Sequence, residues 1–87
     1  MRVYLIWNRG YSTQSVLANS LEEALELSYQ SGHLRKRGNY RRWIDCTDEY
    51  LAREDAPGLD RLLEHDGPGV IIWAPGGWLI NGKPVQI

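Results

Sequence analysis

The chain has 87 residues, a formal net charge of −1, and hydrophobic and charged fractions of 43% and 24%. Those values exclude a polycation, a polyanion and a largely disordered chain. They fit one domain, residues 1–87, with a small core and little room for a deep active-site cavity. Cys46 is the one cysteine, so no intrachain disulfide can form, and a reducing cytoplasmic setting is expected for a domain this small.

Residues 2–8 read as a strand that is apolar on both faces and therefore central. Asn8, Arg9 and Gly10 break it, and 12–18 return as a second, hairpinned strand. The apolar run 3–7 is too short for a signal peptide or a membrane span, so no membrane is expected. Ser20-Leu21-Glu22-Glu23 is a capping box, in which the Ser20 hydroxyl accepts from the Glu23 N–H and Glu23 reaches back to the N–H of Ser20. A helix over 21–31 follows, with Leu21, Ala24, Leu25 and Ser28 on its inner stripe and Gly32 at its C-terminal cap. Residues 33–39 form a basic loop.

A third strand is expected over 40–47. Strict alternation puts Tyr40, Arg42, Ile44 and Cys46 on one face, and Arg41, Trp43, Asp45 and Thr47 on the other. Residues 48–55 fit either a continued strand or a helical turn. Asp55 and Pro57 suit the start of a short second helix that runs through Leu59, Leu62 and Leu63 to about His65. Three short strands follow Gly67-Pro68-Gly69. A turn at 74–77 sets Trp73 opposite Trp78, and Asn81-Gly82 is a strong hairpin signal. Pro84 marks the last strand, 83–87, as an edge. The expected fold class is α+β: a mainly antiparallel sheet of about five strands, one principal helix and a second short helix.

The charges are not evenly spread. Arg35, Lys36, Arg37, Arg41 and Arg42 are five of the ten cations, whereas 45–66 carry eight acids against Arg53 and Arg61. Tyr40 and Trp43 interleave with the cations. Guanidinium and ammonium groups bind phosphates, and aromatic rings stack on bases, so Arg35, Lys36, Arg37, Arg41, Arg42 and Trp43 are the candidate partner-binding residues. The plainer reading is a solvated loop, with Arg41 and Arg42 pairing with the acids downstream. Among the tryptophans, Trp7 is assigned to the core, while Trp43 and Trp78 are expected to be exposed.

No catalytic set stands out. Cys46 with His33 or His65 is the only nucleophile and base on offer, and an inward strand position makes Cys46 a buried thiol instead. The two histidines lie 32 positions apart with no paired-ligand spacing, so neither a metal nor a cofactor is expected. The glycine-rich turns lack the Lys-Ser/Thr of a phosphate loop.

Two stretches carry a resemblance: the strand opening followed by Val16-Leu17-Ala18-Asn19-Ser20-Leu21-Glu22-Glu23-Ala24, and Arg41-Arg42-Trp43-Ile44-Asp45-Cys46. They look like small single-domain proteins of bacteriophages and mobile elements, and resemble anti-CRISPR inhibitors of type I surveillance complexes. The resemblance covers about the first half of the chain. It implies a non-enzymatic inhibitor in the host-cell cytoplasm that sterically blocks a nucleic-acid-binding surface of a type I effector. The partner would then be a host protein such as a Cas effector subunit. A small nucleic-acid-binding module using the basic 35–43 patch is the alternative.

Overall fold

A strand with apolar side chains on both faces needs a cover on each, and the architecture supplies two. A computed structural model describes residues 1–54, 58–64, 67–75 and 77–84. In chain order these form β1 (Arg2–Asn8), β2 (Thr13–Ala18), α1 (Leu21–Gln30), β3 (Tyr40–Asp45), α2 (Thr47–Leu51), α3 (Leu59–Leu62), β4 (Gly69–Ala74), β5 (Gly77–Ile80) and β6 (Lys83–Pro84). The strands make one six-stranded sheet in the order β3-β1-β2-β4-β5-β6. Every pairing is antiparallel. The count is six where about five were expected, and β6, paired with β5, falls within the edge strand expected over 83–87.

Residue parity divides the core. Tyr4 and Ile6 of β1, with Val16 and Ala18 of β2, face α1 and pack on Ala24, Leu25 and Leu34. Val3 and Leu17 face the other way, toward Cys46, Leu59, Leu62, Ile71, Trp78 and Ile80. One helix thus covers one face, and α2 with α3 covers the other. Burying aliphatic side chains on both sides contributes about 1.5–3 kcal/mol each, which is why β1 and β2 sit in the middle of the sheet.

The capping box forms in part. Ser20 Oγ accepts from Glu23 N at 3.2 Å, but Glu23 Oε1 accepts from Asn19 N at 2.8 Å, one residue before the expected donor. At the other end, Gly32 has φ +87, and the N–H groups of Gly32 and His33 bond Tyr29 O and Ser28 O at 3.1 Å each. This paired closure needs a left-handed residue between helix and loop, the conformation glycine adopts without strain. The Asn81-Gly82 hairpin also forms, with φ 51 and 78, the double positive turn that matches strand twist.

The third strand departs from strict alternation. Trp7 pairs Arg42 but Asn8 pairs Tyr40, so Arg41 is an extra residue in a β-bulge. The bulge returns Tyr40 to the α1 face, where it packs on the buried cluster, and away from Arg42 and Ile44. The strand ends at Asp45, and Thr47 opens α2, so the helical alternative holds for 47–51. Thr47 Oγ1 accepts from Val3 N at 2.8 Å and donates to Asp45 Oδ1 at 2.7 Å. One buried hydroxyl therefore extends the β1 ladder into the corner. Trp73 and Trp78 pair across β4 and β5 as expected, with ring centroids 5.2 Å apart. The exposed partner, however, is Trp73 at 39%, while Trp78 is 5% exposed, because Trp78 points at Tyr50 and the α2–α3 core. The proposed caps at Asp55 and Pro57, His65, Gly76 of the 74–77 turn, and 85–87 of the last strand lie outside the described residues.

Candidate functional site

The ββα order determines what meets at one end of the sheet. β2 leaves the β1–β2 turn and α1 returns over it, so the end of α1 comes back to that turn. Asn8 joins the pieces. Its Oδ1 accepts from Gly10 N at 2.9 Å and from Ser12 N at 3.0 Å, and its Nδ2 donates to His33 O at 3.2 Å. The His33 ring bonds Ile6 O at 2.9 Å; a carbonyl only accepts, so Nε2 carries the proton. Leu34, 2% exposed, pins the loop to the α1-side core. The basic loop is thereby fixed beside the hairpin turn.

Each cation of the candidate set has a distinct place. Arg37 belongs to the helix: its Nε and Nη2 both donate to the Glu26 carboxylate, the latter at 3.0 Å, and its guanidinium lies 4.4 Å from the Tyr29 ring centroid. The Arg37 hydrogen bonds, joined by one from Gln30, hold the Glu26 carboxyl below its ordinary range. Arg41, at the bulge, stacks 3.8 Å over the exposed ring of Tyr11. Arg42 lies 4.9 Å over the Trp7 ring, which explains why a tryptophan next to a turn needs no deeper burial. Trp43 is 39% exposed and meets Tyr4 edge-on at 6.2 Å. Arg35 and Lys36 are exposed and make no ion pair among the described residues.

A further cation joins them that the linear charge pattern hides. Arg9, in the β1–β2 turn, lines the same cavity as Arg35, with Asn8, Gly10, Gly32, His33 and Asn39; its volume is about 470 Å³. Arg9 stands 26 positions before Arg35 in the chain. The signal for it was topological, since a ββα order brings the hairpin turn to the helix exit. Toward this basic end of the sheet Arg9 and Arg35 share a cavity, Arg41 reaches Tyr11 of the same turn, and Arg42 lies on Trp7 on the α2–α3 face; among the described residues Glu26 offsets Arg37 alone. At the far end of β1, Arg2 Nε donates to Asp45 Oδ2 at 2.8 Å, and Asp48, Glu49, Asp60 and Glu64 are exposed on or beside α2 and α3. The near-neutral total thus combines a basic end with an acidic pole over α2 and α3 that also carries Arg53 and Arg61, while Glu22, Glu23 and Glu26 lie on α1.

Among the described residues β3 is also an edge strand, paired with β1 alone. Two adjacent arginines and a bulge on such an edge oppose pairing with another copy of itself, because like charges would face each other.

Cys46 and a histidine are not brought together. Cys46 is 1% exposed, its Sγ lies 3.6 Å from Val3 O, and burial first, then Asp45, pushes the thiol up to about 11. His33 is occupied on the other face, and His65 lies outside the described residues. Among the described residues, no group of three or more His, Cys, Asp or Glu side chains could hold a metal ion, and no helix is long and apolar enough to cross a membrane. No protein-family model, curated protein or solved structure matches the chain.

Proposed function

We propose that the chain is a non-enzymatic binding protein that grips a polyanion, in the first instance the phosphate backbone of nucleic acid, through the basic end of its sheet. The observation that carries this is the cavity shared by Arg9 and Arg35, with Arg41 stacked on Tyr11 of the same turn; these three, like Lys36 and Arg42 near them in the chain, are offset by no carboxylate among the described residues. Fixed guanidinium groups lose little freedom on binding, and Arg41 and Arg42 are already held on aromatic rings. The test is fluorescence anisotropy of labelled single- and double-stranded oligonucleotides over a salt series. Affinity that falls steeply with salt supports the reading, and salt-independent or absent binding sinks it.

The second reading is the inhibitor of a type I CRISPR effector that the sequence resemblance implies. The specific observation in its favour is the acidic pole, Asp48, Glu49, Asp60 and Glu64. A groove that binds nucleic acid is itself cationic, so an occluding protein would present this side to it, not Arg35 to Trp43. The basic end would instead meet an acidic subunit face or nucleic acid already loaded. A purified effector whose target-DNA binding is unaffected by a large excess of the protein would remove this reading. Loss of inhibition on Asp48→Lys with Glu49→Lys would place the contact on the acidic pole.

A further inference from the structure

The β2–β4 ladder stops short. It pairs Leu17 with Gly69, Val16 with Val70 and Ser15 with Ile71, and no further. Yet β2 begins at Thr13, and β4 runs on to Ala74 while still paired with β5. The sheet therefore opens into a wedge. Ladder alternation says which backbone groups face it. Asn81 N donates to Val70 O at 2.8 Å, so even-numbered residues of β4 turn their N–H and C=O toward β5; Asn8 N donates to Ser12 O at 2.9 Å, so even-numbered residues of β2 turn theirs toward β1. The odd-numbered Trp73 and Thr13 are left with their backbone donors and acceptors pointing at each other across the gap.

The wedge is a cleft of about 370 Å³ with Tyr50, Trp73 and Trp78 among its walls. Tyr50 stacks on Trp78 at 6.2 Å, Trp73 meets Trp78 edge-on at 5.2 Å, and Trp73 and Ile72 remain exposed at the rim. His33 lines this cleft and also the cavity between Arg9 and Arg35, so the two are neighbours sharing one wall.

We propose that the wedge receives one base of a single-stranded nucleic acid whose phosphates lie on Arg9 and Arg35. This rests on the nucleic-acid reading above and adds strand selectivity to it. A base offers a flat face for Trp73 and an edge of donors and acceptors for the open backbone groups of Thr13 and Trp73. The volume falls in the lower part of the roughly 300–1,000 Å³ range of small-molecule sites. In a duplex the edge is already paired and the face already stacked, so a duplex engages only the basic end.

Three labelled probes of equal length test this at one low ionic strength: an oligothymidine strand, an abasic strand that keeps the phosphates, and a duplex. Oligothymidine should bind at least about tenfold more tightly than the abasic strand and should quench tryptophan fluorescence. Trp73→Ala should bring oligothymidine down to the abasic level and leave the other two unchanged, and Trp73→Phe should recover most of the loss. Circular dichroism of each variant separates a lost site from a lost fold. Amide NMR signals of Thr13 and Trp73 should shift with oligothymidine and not with the abasic strand. If wild type binds all three alike, or Trp73→Ala changes none, the wedge holds no base while the basic-end reading stands. Binding of none overturns both. Displacement of oligothymidine by a strand-forming peptide that shifts the same amides would reassign the wedge to peptide pairing.

Discussion

The sharpest consequence of the charge geometry is a difference between neighbouring cations. Among the described residues Arg35 and Lys36 make no ion pair, while Arg37 is held by Glu26 and Tyr29. Each phosphate neutralised on a duplex contributes about −0.9 to the slope of log K against log salt, and on a single strand about −0.7. Arg9, Arg35, Lys36, Arg41 and Arg42 acting together give slopes of about −4.5 and −3.5. Between about 50 and 200 mM salt, affinity then falls roughly 100- to 500-fold. Arg35→Ala with Lys36→Ala leaves three contacts, slopes of about −2.7 and −2.1, and a fall of only roughly 20- to 40-fold. Arg37→Ala leaves the slope unaltered, because its guanidinium already has an anion. Anisotropy titrations at four or five salt concentrations, with near-ultraviolet circular dichroism to confirm the tryptophan packing, measure all three slopes. A wild-type slope shallower than about −1 refutes the basic end as a phosphate contact. A slope reduced as much by Arg37→Ala as by Arg35→Ala refutes the assignment of Arg37 to the helix.

Other expectations follow from the corner where β3 meets α2. Thr47→Val removes a hydroxyl that serves Val3 N and Asp45 and leaves a buried N–H without an acceptor, at about 2–4 kcal/mol. Its melting temperature should drop by roughly 10–30 °C in a domain of this size, whereas Thr47→Ser should lose far less; equal melting of Thr47→Val and wild type would refute the role. Burial pushes the Asp45 carboxyl up, but hydrogen bonds from Arg2 and from the Thr47 hydroxyl and N–H outweigh it and hold it below its ordinary value. A carboxyl lowered in the folded state stabilises above its unfolded value, about 3.9, and loses that contribution as pH falls through the folded value. Urea titrations from pH 7 to pH 2 should therefore show Asp45→Asn less stable at neutrality and less sensitive to acid than wild type; parallel pH profiles would contradict this. Cys46, buried and with its thiol pushed up to about 11, should react with Ellman's reagent at pH 8 only as fast as the protein unfolds. Cys46→Ser should bind partners as wild type does, and a loss of binding without a loss of fold would reopen a chemical role for the thiol.

Local chemistry was legible wherever one or two residues decide the conformation. Ser20, Gly32 and Asn81-Gly82 each impose a cap or turn on the backbone by themselves, and all three did so. The double-sided apolarity of β1 placed it in the middle of the sheet, and Pro84 placed β6 at the rim. What could not be read needed a second strand. The bulge at Arg41 is a relation between Trp7, Asn8 and β3, so strict alternation put Tyr40 on the wrong face. Trp73 and Trp78 were correctly paired, but which of them is buried depends on Tyr50 arriving from α2. The bidentate partner of Arg37 lies 11 positions back, on the helix it follows, and charge counting along a loop does not register it. Arg9 was missed for the same reason in reverse: it is isolated in sequence and clustered in space.

That contrast bears on what the basic segment is for. A run of like charges held only by solvent repels itself, and the simplest way to quiet it would be carboxylates across the strand. The chain has the acids, but among the described residues none pairs with Arg41 or Arg42, which lie over aromatic rings instead. A ring fixes the direction of a guanidinium without neutralising it, whereas an ion pair does both, as Glu26 does for Arg37. Three segments of the chain meet at this end, and Asn8 and His33 spend four side-chain hydrogen bonds keeping them there. Stacking a guanidinium on an exposed ring contributes about 0.5–1 kcal/mol to folding and leaves the charge in place. On the proposed reading the counter-charge comes from a second molecule, and replacing Tyr11 or Trp7 by leucine should weaken polyanion binding even though neither ring carries a charge.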